Sequence, residues 1–168
     1  MTILLLAGIV FAVILLIKQK ELAEAGLVTI ISSKIKGSSL STNYWLAGAS
    51  LFLANTALFA IAFVIFFFIP FGTTLGLVMC IPLSLFTWLI FSQVWGGSYK
   101  DKVKMVCIGN IFFLLFMGWT IWYYMTLEPA YPGDDLFMAW IGMIISIIFT
   151  AGAMSVSMFV ILRKSQAE

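Results

Sequence analysis

The chain has 168 residues, of which 63% are hydrophobic, 16% aromatic and 10% charged, with a formal net charge of +2 and a mean hydropathy of +1.14. Soluble domains carry about 25% charged residues, so this balance excludes an ordinary soluble globule. The absence of His and the presence of two Cys remove the usual haem, copper and zinc ligand, the commonest general base, and any four-ligand iron–sulfur centre.

The apolar residues come in continuous runs and not in the alternating pattern of a barrel strand. Only helices or closed barrels satisfy their backbone in hydrocarbon, and about 20 apolar residues cross its ~30 Å as a helix. The expectation is an all-α integral membrane protein with five transmembrane helices in one domain. The first span, Thr2–Ile17 (2–17), is the shortest and is closed by Lys18 and Lys20. A secretory signal places its positive charge before the apolar run, so this segment reads as a retained anchor despite the cleavage-like Ala23-Glu24-Ala25.

Residues 18–43 form the longest connection. The stretch Lys18–Lys36 reads as a continuation of the first helix or as a helix along the membrane surface. In the second case Leu22, Leu27, Ile30 and Ile31 point inward while lysines reach anionic headgroups. Gly37–Asn43 is a small polar linker.

The second span, Tyr44–Ile69 (44–69), contains no Asp, Glu, Lys or Arg. Its small residues Ala47, Ser50, Ala54 and Ala57 recur at helical spacing. The third, Phe71–Trp95 (71–95), carries a similar face in Gly72, Gly76, Cys80, Ser84 and Thr87, opening with a G-x-x-x-G. Pro82 lies near its middle, where it frees the carbonyl of Val78 and kinks the helix. The fourth span, Met105–Leu127 (105–127), follows the short basic turn Lys100–Lys104. The fifth, Leu136–Leu162 (136–162), repeats Ala139, Gly142, Ser146, Thr150, Ala153 and Ser157 at steps of three and four. Lipid tails give helices no hydrophobic reason to pair, so they associate where small side chains let backbones approach and where hydroxyls bond across. Ala47, Ser50, Ala54, Gly72, Gly76, Gly142, Ser146 and Thr150 are the expected packing residues.

In this threading all nine basic residues fall on one side of the membrane. Basic residues in short loops stay on the cytoplasmic side, which puts the C-terminus in the cytoplasm and the N-terminus outside. The segment "LEPAYPGDDLF", 127–137, then faces out and holds three of the seven acidic residues. Pro129 and Pro132 end the fourth span, and Asp134 and Asp135 suit the free N–H groups and positive dipole at the start of the fifth. Tyr44, Trp45, Trp95 and Tyr99 mark one headgroup level, and Trp119, Trp122, Tyr123, Tyr124 and Trp140 the other. Trp88 is the exception, nearer mid-membrane.

Proton-coupled transporters keep an ionisable group within the membrane for their work, and these spans offer none. No phosphate-binding loop, nucleophile elbow or catalytic triad is present, and the basic turn is explained by orientation without nucleic acid. No cofactor is implied. Two functional expectations remain. One is a non-catalytic structural or accessory subunit of a larger complex in the cell membrane, with lipids and other integral membrane subunits or further copies of itself as partners. The alternative is a small channel or carrier for a neutral solute, lined by Asn55, Cys80, Ser84, Thr87, Gln93 and Asn110, with Pro82 on the same path.

Overall fold

The computed structural model describes residues 26–68, 72–129 and 136–163, together with Ile14, Ile17, Lys18 and Glu21, leaving aside the side chains of Leu27, Phe66, Phe67 and residues 72–78. Nearly all of the expected first span and residues 130–135 of the acidic loop, with the capping roles of Asp134 and Asp135, lie outside the described residues.

The described residues form five α-helices and one short 3-10 turn. In chain order they are α1 (Gly26–Ile35), the turn Ser39–Ser41, α2 (Tyr44–Phe68), α3 (Gly72–Val94), α4 (Tyr99–Met125) and α5 (Phe137–Leu162). Three helices are long and apolar enough to cross a membrane, over Tyr44–Ile65, Tyr99–Met125 and Phe137–Leu162. The apolar stretch Met79–Val94 within α3 is shorter.

Helix α4 begins at Tyr99, so Lys100–Lys104 is its opening turns and not the basic loop expected before Met105. The reason is local: Ser98 is an N-cap whose Oγ accepts from the Asp101 N–H and donates to Asp101 Oδ2. Asp101 also accepts from Lys104 Nζ at 2.9 Å. A capped, charge-paired first turn continues the helix outward past the apolar run. Only Trp95–Ser98 then links α3 to α4, and the Gly96 N–H donates to the Ser41 carbonyl, fastening this link to the 3-10 turn.

The four long helices close a ring: α4 packs between α2 and α5, and α3 touches both α2 and α5 on the other side. Helix α1 docks on α3. The closest approach is between α2 and α4. A Cβ on Gly48 would lie 2.8 Å from Ile108 Cβ and 3.1 Å from the Met105 carbonyl oxygen, and one on Gly109 would collide with Leu51. Both glycines are needed for want of a side chain, which is the general condition for close helix packing in lipid.

The core lies at the basic end of the ring. Its buried members are Ala47 and Leu51 of α2, Leu85, Trp88, Leu89 and Val94 of α3, Met105, Val106 and Phe113 of α4, Val160 and Ile161 of α5, and Val28 of α1. At the other end large apolar side chains are exposed on each helix whose side chains are described there. Among them are Phe63 and Phe68 of α2, Leu115, Trp119 and Trp122 of α4, and Phe137, Met138 and Ile148 of α5.

Candidate functional site: a polar seam at the basic end

One chain of hydrogen bonds crosses all four long helices. Trp88 Nε1 of α3 donates to Asn55 Oδ1 of α2 at 3.0 Å, and Asn55 Nδ2 donates to the Gly109 carbonyl of α4 at 3.2 Å. The next residue, Asn110, accepts from Ser157 Oγ of α5 at 3.0 Å. Trp88, Asn55, Asn110 and Ser157 are all buried. The tight α2–α4 contact makes this possible, because Gly109 brings its carbonyl within reach of a side chain as short as Asn55.

Asn110 Nδ2 is buried with no partner. Exchanging the amide oxygen and nitrogen does not cure this. Ser157 would then accept from the nitrogen, and the oxygen would be the unpaired atom. A buried amide donor left unpaired costs about 1–3 kcal/mol.

One helical turn toward the end of the ring lies a second tier. Ser92 Oγ of α3 donates to the Ile161 carbonyl of α5 at 3.0 Å. Lys102 Nζ of α4 donates to Ser92 O at 3.3 Å and approaches Ser92 Oγ at 3.4 Å. Lys102 is 8% exposed, and among the described residues it forms no ion pair; Asp101 is bound to Lys104 instead. Its Nζ meets the C-terminal end of α3 and, through Ser92, stands near that of α5. Ser92 stands in the last turn of α3 and Ile161 in the last turn of α5, and each C-terminus carries about −0.5 of an elementary charge. A third tier joins α1, through Ser32 Oγ donating to Gln93 Oε1 at 3.1 Å.

The expected packing residues fall into three groups. Ala47 and Thr150 are buried, and Ser50, Ala54, Gly142 and Ser146 are half-buried. The buried stripe of α2 runs Ala47, Leu51, Asn55, one position round from the small-residue row, and Ala57 is exposed. On α5 a Cβ at Gly142 would meet Tyr124 Oη at 3.1 Å, while Ser146 and Thr150 bond back to the Gly142 and Ser146 carbonyls. Gly72 and Gly76 lie on α3 among the residues whose surroundings are not described.

Of the residues assigned to a solute path, Asn55 of α2 bonds to the Gly109 carbonyl of α4, whereas the side chain of the next residue, Asn110, bonds to Ser157 of α5. Ser84 Oγ donates to the Cys80 carbonyl at 2.8 Å and Thr87 Oγ1 to the Leu83 carbonyl at 2.8 Å, so both hydroxyls serve their own helix. Pro82 sits inside α3 and is half-buried, as is Cys80. Sequence reasoning missed Gly48, Gly109 and Lys102. The signal for the glycines was present in the Gly109-Asn110 pair, a small residue beside a polar one in an apolar run. Nothing in the sequence separates Lys102 from Lys100 or Lys104. Among the described residues no cluster of Cys, Asp or Glu is arranged to hold a metal ion.

No family model matches the chain, and no curated protein or solved structure gives a match.

Proposed function

We propose that this chain is a multi-pass protein of the cell membrane that serves as a non-catalytic structural or accessory subunit of a larger membrane assembly. In this reading five spans place the N-terminus outside and the C-terminus in the cytoplasm. The observation that carries it is the one-sided core. The buried polar side chains Asn55, Trp88, Ser157 and Lys102 join helices toward the basic end, and the opposite end offers bulky apolar faces that the chain's own described residues leave uncovered. Such faces suit lipid and the helices of neighbouring subunits or further copies, and they hold no reactive group. Gentle extraction should recover the protein well above its own 18.7 kDa plus detergent, with other polypeptides in fixed ratio. Recovery as a stable monomer would overturn the subunit role. The threading has its own test: a cysteine at Ala130 should be labelled from outside and one at Ser98 should not.

A second reading, a path for a small neutral solute past Asn55, Cys80, Pro82, Ser84 and Asn110, draws on the unpaired Asn110 Nδ2. It predicts solute flux in liposomes that Asn110→Leu abolishes while the protein remains folded.

A further inference from the structure

The short helix α1 presents three different faces within ten residues. Val28 and Ser32, one turn apart, are buried against the bundle, with Ser32 bonded to Gln93 of α3. Thr29 and Ser33 are exposed on a second face, their hydroxyls turned back to the Gly26 and Ile30 carbonyls. The third face holds Ile30, 55% exposed, and Ile31, 41% exposed. Lys34 follows them by four and three residues and so stands over the same face. A helix with one face on protein, one polar and one apolar with a lysine rooted in it fits a single place, the boundary between hydrocarbon and water. The docking partner fixes the depth independently: Gln93 is in the last turn of α3, beside Val94 and the belt residue Trp95.

Charge selects the kind of lipid. Lys34 and Lys36 are exposed, and no acidic residue occurs between Glu24 and Asp101. Asp101 itself is bound to Lys104. Further basic residues, Lys100 and Arg163, are exposed at the same end of the ring.

We infer that α1 is a membrane-surface element: Ile30 and Ile31 lie against acyl chains, and Lys34 and Lys36 hold anionic phospholipid headgroups of the leaflet at the basic end. This rests on the membrane-spanning part of the proposed function and is independent of the subunit role. The test uses the full chain with Cys80→Ser and Cys107→Ser, carrying an environment-sensitive fluorophore on Thr29→Cys or Ile31→Cys. The labelled protein is placed in nanodiscs of phosphatidylcholine with or without phosphatidylglycerol. The label at position 31 should emit as in hydrocarbon and be quenched by nitroxide-bearing lipid. The label at position 29 should emit as in water and be quenched by aqueous iodide. In native mass titrations the double variant Lys34→Gln, Lys36→Gln should bind phosphatidylglycerol about 30-fold more weakly, the change given by two lysines at about 1 kcal/mol each, with phosphatidylcholine binding unchanged. Like behaviour at 29 and 31, or equal phosphatidylglycerol binding by the variant, would overturn the inference. So would an apolar signal at 31 that lipid nitroxides leave untouched, since a polypeptide would then cover that face. Failure of the chain to enter nanodiscs would instead remove the membrane-spanning reading, and the inference with it.

Discussion

At the basic end of the ring the helices are bonded to one another, and at the opposite end their hydroxyls bond to themselves. Trp88, Asn55, Gly109, Asn110 and Ser157 link four helices, and Lys102, Ser92 and Ile161 link three again one turn away. Toward the other end Thr120, Ser146 and Thr150 each donate to the carbonyl four residues back on the same helix. The buried apolar residues gather at the basic end, where Trp45, Leu46, Tyr99 and Phe159 are nevertheless exposed on the outer faces, and large apolar side chains are exposed at the other end. The difference teaches that small and hydroxylated residues do not by themselves make a helix contact. At the tightest contact, between α2 and α4, Gly48 and Gly109 open the backbone and Asn55 reaches across to the Gly109 carbonyl.

The comparison is broken most directly at the glycines. Gly109→Leu should destabilise the fold by about 3 kcal/mol or more, because the new side chain has to displace Leu51 and also separates Asn55 from its carbonyl. Gly118→Leu, on the same helix toward the other end with open space at its Cα, should leave stability within about 0.5 kcal/mol of the parent. Unfolding in mixed detergent measures both, and equal losses would abolish the distinction between the two ends.

Lys102 gives the next largest effect. Lys102→Met keeps the bulk but leaves the Ser92 carbonyl at the end of α3 without its charged donor, at a cost of about 2 kcal/mol. Lys104→Met should melt with the parent, since Lys104 is exposed and its partner Asp101 faces water. A Lys102→Met protein as stable as the parent would mean that the end of α3 does not need the charge.

The two asparagines sharpen the picture within the seam. Asn55→Leu removes bonds to two helices and strands Trp88 Nε1, so a loss of about 2 kcal/mol is expected. Asn110→Leu removes one bond and also an unpaired donor, and its loss should be about 1 kcal/mol or less. The reversed order would show that Asn110 has a partner, such as an internal water, that the seam depends on. The smallest effect belongs to Gly142→Leu, about 1 kcal/mol from crowding Tyr124, against no change for Ile144→Leu at an exposed position.

Much of the fold is legible in the chain. The bounds of α2, α3 and α5 agree with the apolar runs 44–69, 71–95 and 136–162 to within a residue, because a helix in hydrocarbon continues for as long as side chains stay apolar. The start of α4 was not legible from hydropathy, since Ser98 and Asp101 begin the helix through capping and charge pairing while Lys100–Lys104 read as loop. On α2 the small-residue row marked the side of the helix that packs but not its centre. Composition cannot distinguish a residue that touches a neighbour from one that merely stands beside it.

Sequence alone therefore determined that the chain is helical and apolar enough for a membrane, that its positive charge gathers in a few short stretches, and that it carries no His. These follow from residue types and their run lengths, which act locally. Tertiary structure decided that α2 meets α4 at Gly48 and Gly109, that Asn55 and Asn110 belong to one seam, and that Lys102 alone among its lysine neighbours is buried. Each of these depends on the rotation of one helix about its axis relative to another. That rotation is fixed by the fit of particular side chains across a gap of a few ångströms, and hydropathy carries no record of it.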